Sequence, residues 1–472
     1  MALLGNKAGK VPGLQYVVQQ VDVKSAIGRL HLLRQPFMTD AREISEHLAK
    51  TSELLQLLKS PDKSQLLDDI GHALTEVHDI TATLNSLTKD FVLDDIGLFE
   101  IKKFALLTTR LKELAESSNL RSFNFTAVEE VVKLLDPEGQ KVPHFYIYDA
   151  YDAELAALRK EYNVVYKTDI QQAEALRLKC VEKEDTIREE LTSKLKVFAH
   201  TLIANLNITG DLDLSLAKAE LSLRLSLCLP VAGKEMGLSF KGLFNPAVAD
   251  ALRKKGKNFQ PVNIDMSPGT ALITGANMGG KTVLLKSIVL SQYMFQYGFM
   301  VPAASAVMFP FRDIMFSFED EQSELRGLSS FAAEMLKING IINTSRSHTE
   351  VLSLIDEPAR TTNPMEGKAI VNALVDIMQE LGAVTLITTH YSGIESNCRR
   401  LRVAGLKTDI MEGIPGIESI NDYMDYSLIE LPAGRITEEE VPHEAINIAR
   451  LMNIDNDLLA RASSYIKKDT EL

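Results

Sequence analysis

The eight residues Gly275-Ala276-Asn277-Met278-Gly279-Gly280-Lys281-Thr282 constrain this chain more than any other stretch. They satisfy G-x-x-x-x-G-K-[ST], a loop whose glycines let backbone N–H groups turn inward around phosphate oxygens. Lys281 can neutralise the β and γ phosphates, and the Thr282 hydroxyl can ligate Mg²⁺. The flanks suit such a cradle: the apolar run TALIT (270 to 274) enters the loop, and TVLLKSIVLSQYMFQY leaves it as a helical pattern that stops before Gly298. A strand–loop–helix unit of this kind requires a sheet that buries the strand on both faces.

Two more strand-like runs follow, VLSLID (351 to 356) and VTLIT (384 to 388), separated by helical patterns. The alternation predicts a mostly parallel sheet covered by helices. The helix from Glu366 to Leu381 is expected to stop at Gly382, a suitable C-terminal cap. VLSLIDEP places Asp356 and Glu357 at the carboxyl end of a buried-type strand, where ligands of open α/β sheets bind. There Asp356 can hold the magnesium shell, and Glu357 can accept a proton from an attacking water. The next strand ends in Thr388-Thr389-His390, which brings His390 within reach of the γ-phosphate or the water. Before the Asp-Glu strand, GLSSFAAEMLKINGIIN predicts a helix with Phe331, Met335, Ile338 and Ile342 on one face. Ser329 or Ser330 stands at its start, as an ordinary cap or as a second anion-binding helix terminus.

Upstream, the pattern is helical from Ser25 to about Arg121. Asp40 can cap a helix with Glu43 three residues on, and Ile44, Leu48, Leu55 and Leu58 then share a face. DPEGQKVPH (136 to 144) reads as a break. From Asp152 to Leu206 nine Lys/Arg face ten Asp/Glu, the pattern of solvated helical arms. With 472 residues and 45% hydrophobic content the chain can build two or three cores. The expected organisation is a helical core domain at 1–145, lever-like helical arms at 146–234, and an α/β ATPase domain at 235–472. A formal charge of −13 argues against a protein that coats nucleic acid non-specifically. Cys180, Cys228 and Cys398 show no disulfide or metal spacing, and neither a signal peptide nor a membrane-spanning run is visible, so a cytoplasmic protein is expected.

With these motifs in order, the chain from about Gly237 onward resembles the ATPase domain of the MutS family of ABC-type ATPases. The resemblance rests on TGANMGGKT, VPA (301 to 303), GLSSFAAEM, DEPARTTNPMEG and TTHY. It implies ATP and Mg²⁺ as ligands, with catalytic roles for Glu357, His390 and Lys281. Nucleotide contacts are implied along Gly275 to Thr282, and metal contacts at Thr282 and Asp356. It further implies a homodimer in which Ser329 serves the other subunit's site, an adenine-stacking role for Phe259, and a C-terminal helical dimerisation segment. Ala276 and Thr282 stand where the family usually has Pro and Ser, Pro358-Ala359 and Thr361 depart in the loop after Glu357, and the family's base-side His near Ile429 is not found.

The resemblance continues more weakly upstream, where a mismatch-reading domain and a DNA-embracing clamp find no segment to occupy. Some fifty residues suffice for two helical arms, each roughly 40 Å long. The short form is similar to the MutS-like subunit of lysine 5,6-aminomutase reactivase. That likeness implies a protein partner for the arms, in a cobalamin-dependent aminomutase system. The family name implies instead binding to mismatched or branched DNA, which the acidic charge disfavours. An ATP-gated structural dimer without turnover is disfavoured by Glu357 and His390.

Overall fold

The computed structural model describes residues 2–89, 91–142, 144–275, 279–318, 330–407, 423–432, 446, 449–450 and 454–470. Ten strands run through these residues: β1 (Val231–Ala232), β2 (Leu238–Leu243), β3 (Val262–Met266), β4 (Gly269–Thr274), β5 (Ser305–Met308), β6 (Asp313–Ser317), β7 (Val351–Ile355), β8 (Val384–Thr388), β9 (Arg399–Leu406) and β10 (Met424–Leu431). The expected parallel sheet is present, in the order β10-β9-β4-β8-β7-β6, with only β10 antiparallel to its neighbour.

Side chains alternate faces along these strands, and both faces are covered. Ala271 and Ile273 of β4 point to the core that contains Leu285, Ile288 and Val289 of the Lys281–Gln296 helix. Leu272 between them belongs to the opposite core, with Ile338 and Ile341 of the Ser330–Ser347 helix and Val371 and Val375 of the Pro364–Leu381 helix. Asn363 caps the last of these helices, and Gly382 closes it with a φ of 68°. A second sheet, β1-β5-β2-β3, was not foreseen from sequence. Its strands are two to six residues long, too short for a clear alternating pattern.

The helical part follows its sequence pattern closely. Asp40 caps the Ala41–Leu58 helix by accepting from Arg42 N–H at 2.7 Å and Glu43 N–H at 3.1 Å. Ile44 and Leu48 are buried as expected. Farther along, Leu54 and Leu57 are the buried leucines instead of Leu55 and Leu58, because this end of the helix packs into a second core with Ile70, Leu74 and Leu111.

The buried clusters cross the expected boundaries at 145 and 234. Leu4, Leu14, Val17, Ile44 and Leu48 share a core with the Lys281–Gln296 helix. Leu155, Cys180, Ile187 and Leu191, from the expected arms, pack in one cluster with Ile101, Phe104 and Val131. The arms also differ from two equal rods. Ala153–Val165 has 13 residues, about 20 Å at 1.5 Å per residue, whereas Ile170–Leu195 has 26. A short 3₁₀ turn, Lys196–Phe198, then leads directly into the Ala199–Arg224 helix.

That last helix joins the helical part to the sheet domain. Lys218, 3% exposed, donates through Nζ to the carbonyls of Tyr297 at 3.0 Å and Gly298 at 3.1 Å, just past the end of the Lys281–Gln296 helix. Its ammonium also lies 4.2 Å from the centre of the Phe299 ring. A cation at a helix C-terminus complements the carbonyl dipoles there. The Lys281–Gln296 helix therefore ends on the Ala199–Arg224 helix.

Candidate functional site

The site is assembled where β4, β7 and β8 end on the same edge of the sheet. The helix after the loop starts at Lys281, with Gly280 in the left-handed region at φ 73°. Lys281 Nζ donates to the Gly275 carbonyl at 2.6 Å, folding back across the mouth of the loop, and stands 3.2 Å from Oε1 of Glu357. Both side chains are largely buried, at 3% and 10% exposure.

Asp356 is held through both carboxylate oxygens. Thr282 Oγ1 donates to Oδ2 at 2.7 Å, and Thr388 Oγ1 donates to Oδ1 at 2.6 Å. The Thr388 oxygen in turn accepts from the Glu357 N–H at 3.0 Å, so one hydroxyl from β8 fixes both members of the acidic pair. His390 Nδ1 lies 3.7 Å from Glu357 Oε2, and Arg360 Nη1 lies 3.6 Å from the same oxygen. The His390 imidazole first, then the Lys281 ammonium, hold the Glu357 carboxyl down to about 2 against the opposing effect of burial. The backbone is strained here: Glu357 and Ala359 have φ of 44° and 61°, uncommon for residues with a side chain.

A hydroxyl and a carboxylate side by side form a hard oxygen donor pair, which fits Mg²⁺. Thr282 and Asp356 would hold that ion. Among the described residues no group of three or more His, Cys, Asp or Glu could hold a metal by itself.

Beside the loop lies a cavity of about 270 Å³ lined by Phe259, Gly279, Gly280, Leu284, Tyr426 and Leu428, among others. Phe259 thus shares a cavity with Gly279 and Gly280 of the loop. Gln260 anchors its segment to β10, donating to Asp425 Oδ1 at 2.7 Å and accepting from Tyr426 N–H at 3.3 Å. Tyr426 was missed, although it lies three residues before Ile429, where the family His was sought. Its ring approaches within 3.0 Å of the point a Cβ on Gly280 would occupy.

Of the residues singled out from sequence, Gly275, Gly279, Gly280, Lys281, Thr282, Asp356, Glu357, His390 and Phe259 gather around this one edge and its adjoining cavity. Ala276, Asn277, Met278 and Ser329 lie outside the described residues. Sequence reasoning also missed Thr388 as a link between Asp356 and Glu357, although Thr388 had already been placed at the strand end.

Residues 271–467 match the protein-family profile described as MutS domain V. The chain is similar to the protein named Endonuclease MutS2 of Geobacillus sp. (strain WCH70), 26% identical over 477 residues that cover 98% of this chain and 56% of that one. Endonuclease MutS2 of Thermus thermophilus is 28% identical over 71% of this chain and 41% of its own length. That of Leuconostoc mesenteroides subsp. mesenteroides is 32% identical over 46% of this chain and 26% of its own. The chain therefore spans between about a quarter and just over half the length of these relatives. The domain match and the likeness running along nearly the whole chain together support its placement in the MutS family.

Proposed function

We propose that this chain is a Mg²⁺-dependent ATPase that works as a dimer and couples the nucleotide state of its loop to a grip on DNA. The observation that carries the ATPase reading is the Thr388 hydroxyl, bonded to both Asp356 and Glu357, opposite Lys281 and Thr282. Phosphoryl transfer to water asks for a charge clamp, a metal site and a base on a common edge, and these residues supply each.

Entering phosphates compete for Lys281, which leaves the Gly275 carbonyl and Glu357 for the β and γ oxygens. Bound Mg²⁺ would neutralise charge on those oxygens. Glu357, relieved of one of the cations that hold it down, gains basicity and accepts a proton from the water. The water oxygen bonds to the γ phosphorus as the bridging P–O bond breaks, and ADP departs with that electron pair. His390 orients the water or the γ-phosphate, and the cavity with Phe259 and Tyr426 receives the base. Ser329 completes the partner subunit's site.

For the target of the arms, the names of the relatives favour DNA over the protein partner that charge alone suggests. Nothing in the comparisons supports a cobalamin-dependent aminomutase partner. DNA contact is what is carried over, without the nuclease activity in the relatives' name. The deciding experiment is steady-state hydrolysis of ATP with Mg²⁺ by the full chain, with and without DNA. No hydrolysis in either condition would sink the ATPase reading.

A further inference from the structure

Ala359, two residues past Glu357, has both backbone polar groups taken by side chains from elsewhere. Its N–H donates to Glu334 Oε1 at 3.0 Å, from the Ser330–Ser347 helix. Its carbonyl accepts from the Tyr391 hydroxyl at 2.8 Å, from the loop after β8. The residue is fully buried at a left-handed φ of 61°, which an alanine does not adopt unaided. Pro358 has its own φ fixed by its ring, so Glu357 and Ala359 are joined by a stiff link. Thr388 anchors the other side of that link at the Glu357 N–H.

The third participant is Gly367, in the first turns of the Pro364–Leu381 helix. A Cβ there would stand 2.2 Å from the Tyr391 hydroxyl, 2.7 Å from its Cζ and 3.0 Å from the Ala359 carbonyl oxygen. A glycine costs stability inside a helix relative to alanine, and here it leaves the room that Tyr391 needs. Three elements therefore converge on a single strained residue that has no chemistry of its own.

We infer that Glu334 and Tyr391 are positioning residues whose clasp on Ala359 holds the Glu357 carboxylate in its working place. The clasp ties the helix that begins beside Ser329 to the base of the same subunit. An ATP-bound neighbour that pulls on that helix start thereby acts on Glu357. This inference rests on the reading of Glu357 as the base of an ATPase.

The test uses the full chain with Tyr391→Phe, Glu334→Ala, Glu334→Gln, Gly367→Ala and the double variant Gly367→Ala/Tyr391→Phe. Two readouts are taken: ATP turnover beside ATP affinity, and amide exchange of the peptide carrying Ala359 without nucleotide. Tyr391→Phe and Glu334→Ala should lower kcat by about 10- to 100-fold, as expected for a misplaced reacting group, and leave ATP affinity within about twofold. Glu334→Gln keeps an acceptor oxygen and should restore most of the turnover. Gly367→Ala should reproduce Tyr391→Phe, and the double variant should lose no more than Gly367→Ala alone, since both break one contact. Exchange at the Ala359 peptide should quicken in each variant that loses turnover. Unchanged exchange in Tyr391→Phe and Glu334→Ala would show that no clasp exists, and quickened exchange with wild-type kcat would show that it does not position the base. A wild-type chain that fails to hydrolyse ATP sinks the ATPase reading instead, and exchange alone then decides the clasp.

Discussion

Lys281 reaches across its loop to within 3.2 Å of Oε1 of Glu357, so the proposed phosphate clamp and the proposed base neutralise each other. The ion pair and the bond from Lys281 to the Gly275 carbonyl hold both side chains at the mouth of the loop. Phosphate oxygens are the stronger attraction for Lys281, because they carry more charge than one carboxylate. In the proposed cycle, nucleotide entry should therefore both fill the loop and release Glu357.

The first prediction separates these roles. Lys281→Ala should weaken ATP binding, whereas Glu357→Gln should bind ATP as the wild type does and slow the chemical step by about 10² to 10⁴-fold. Equilibrium binding beside single-turnover hydrolysis reads both. Wild-type turnover by Glu357→Gln would remove the base assignment.

The second concerns pH. In the free enzyme Glu357 is held down to about 2 by His390 and Lys281, below its ordinary 4.5, so its protonation cannot shape kcat/KM at mild pH. Once Lys281 turns to phosphate, one of the charges that depress Glu357 is gone and its pKa rises. The acid limb of kcat should therefore lie at higher pH than that of kcat/KM. Coincident limbs would mean that Lys281 does not let go.

The third tests the junction at Lys218. Burial pushes its ammonium down from 10.5 to about 7, and burial pushes the neighbouring His47 from 6.5 to about 4, with Lys50 and Asp211 also acting on both. Between the folded and unfolded values the unfolded chain binds more protons, so stability should rise with pH from about 4 to 6.5 and again from about 7 to 10.5. Lys218→Met should flatten the second rise in denaturant titrations and shrink the first only in part, because burial outweighs the Lys218 charge in holding His47 down. An unchanged upper rise would place its origin elsewhere.

The fourth addresses the dimer. Chains carrying Ser329→Arg mixed with chains carrying Lys281→Ala form heterodimers in which one composite site combines both defects and the other has neither. Part of the ATPase activity should return on mixing. No recovery despite demonstrated subunit exchange would count against a serine that acts in trans.

Much of the site was legible because it is local chemistry on regular elements: the loop of Lys281, the strand ends at Asp356 and His390, and the helices leaving them all have short sequence signatures. What stayed hidden depends on contacts distant in sequence. The clasp links Glu334, Ala359, Gly367 and Tyr391, and no spacing rule joins a glycine to a hydroxyl 24 positions later in the chain. Tyr426 was overlooked because a histidine was sought beside the base, although an aromatic ring of another kind stood three residues away. The arms were overdrawn because charge balance reports a solvated face and says nothing of the opposite face. There Leu155, Ile187 and Leu191 are buried against the helical core.

The last prediction is that DNA binding belongs to the ATP-bound dimer and not to the isolated arms. Non-specific affinity for DNA grows with the number of phosphates that basic side chains neutralise. In the Ile170–Leu195 helix four of the five basic residues already face acidic partners: Arg177 with Glu174, Lys183 with Glu154, Arg188 with Asp95, and Lys194 with Glu190. Each such pair must be broken before its cation can meet a phosphate, and the chain as a whole carries −13. A single subunit should therefore bind duplex, mismatched and branched DNA weakly, with the logarithm of its affinity falling against that of salt with a slope no steeper than about −4, the value for some four phosphates. Closing two subunits on ATP doubles the available contacts and fixes their spacing, so ATP with Glu357→Gln to trap the closed dimer should tighten binding at physiological salt. Equilibrium titration of the three DNA forms, with and without ATP, reads this directly. Absence of ATP-dependent binding to any of them, in a chain shown to dimerise with ATP, would overturn the DNA reading and return the arms to a protein partner.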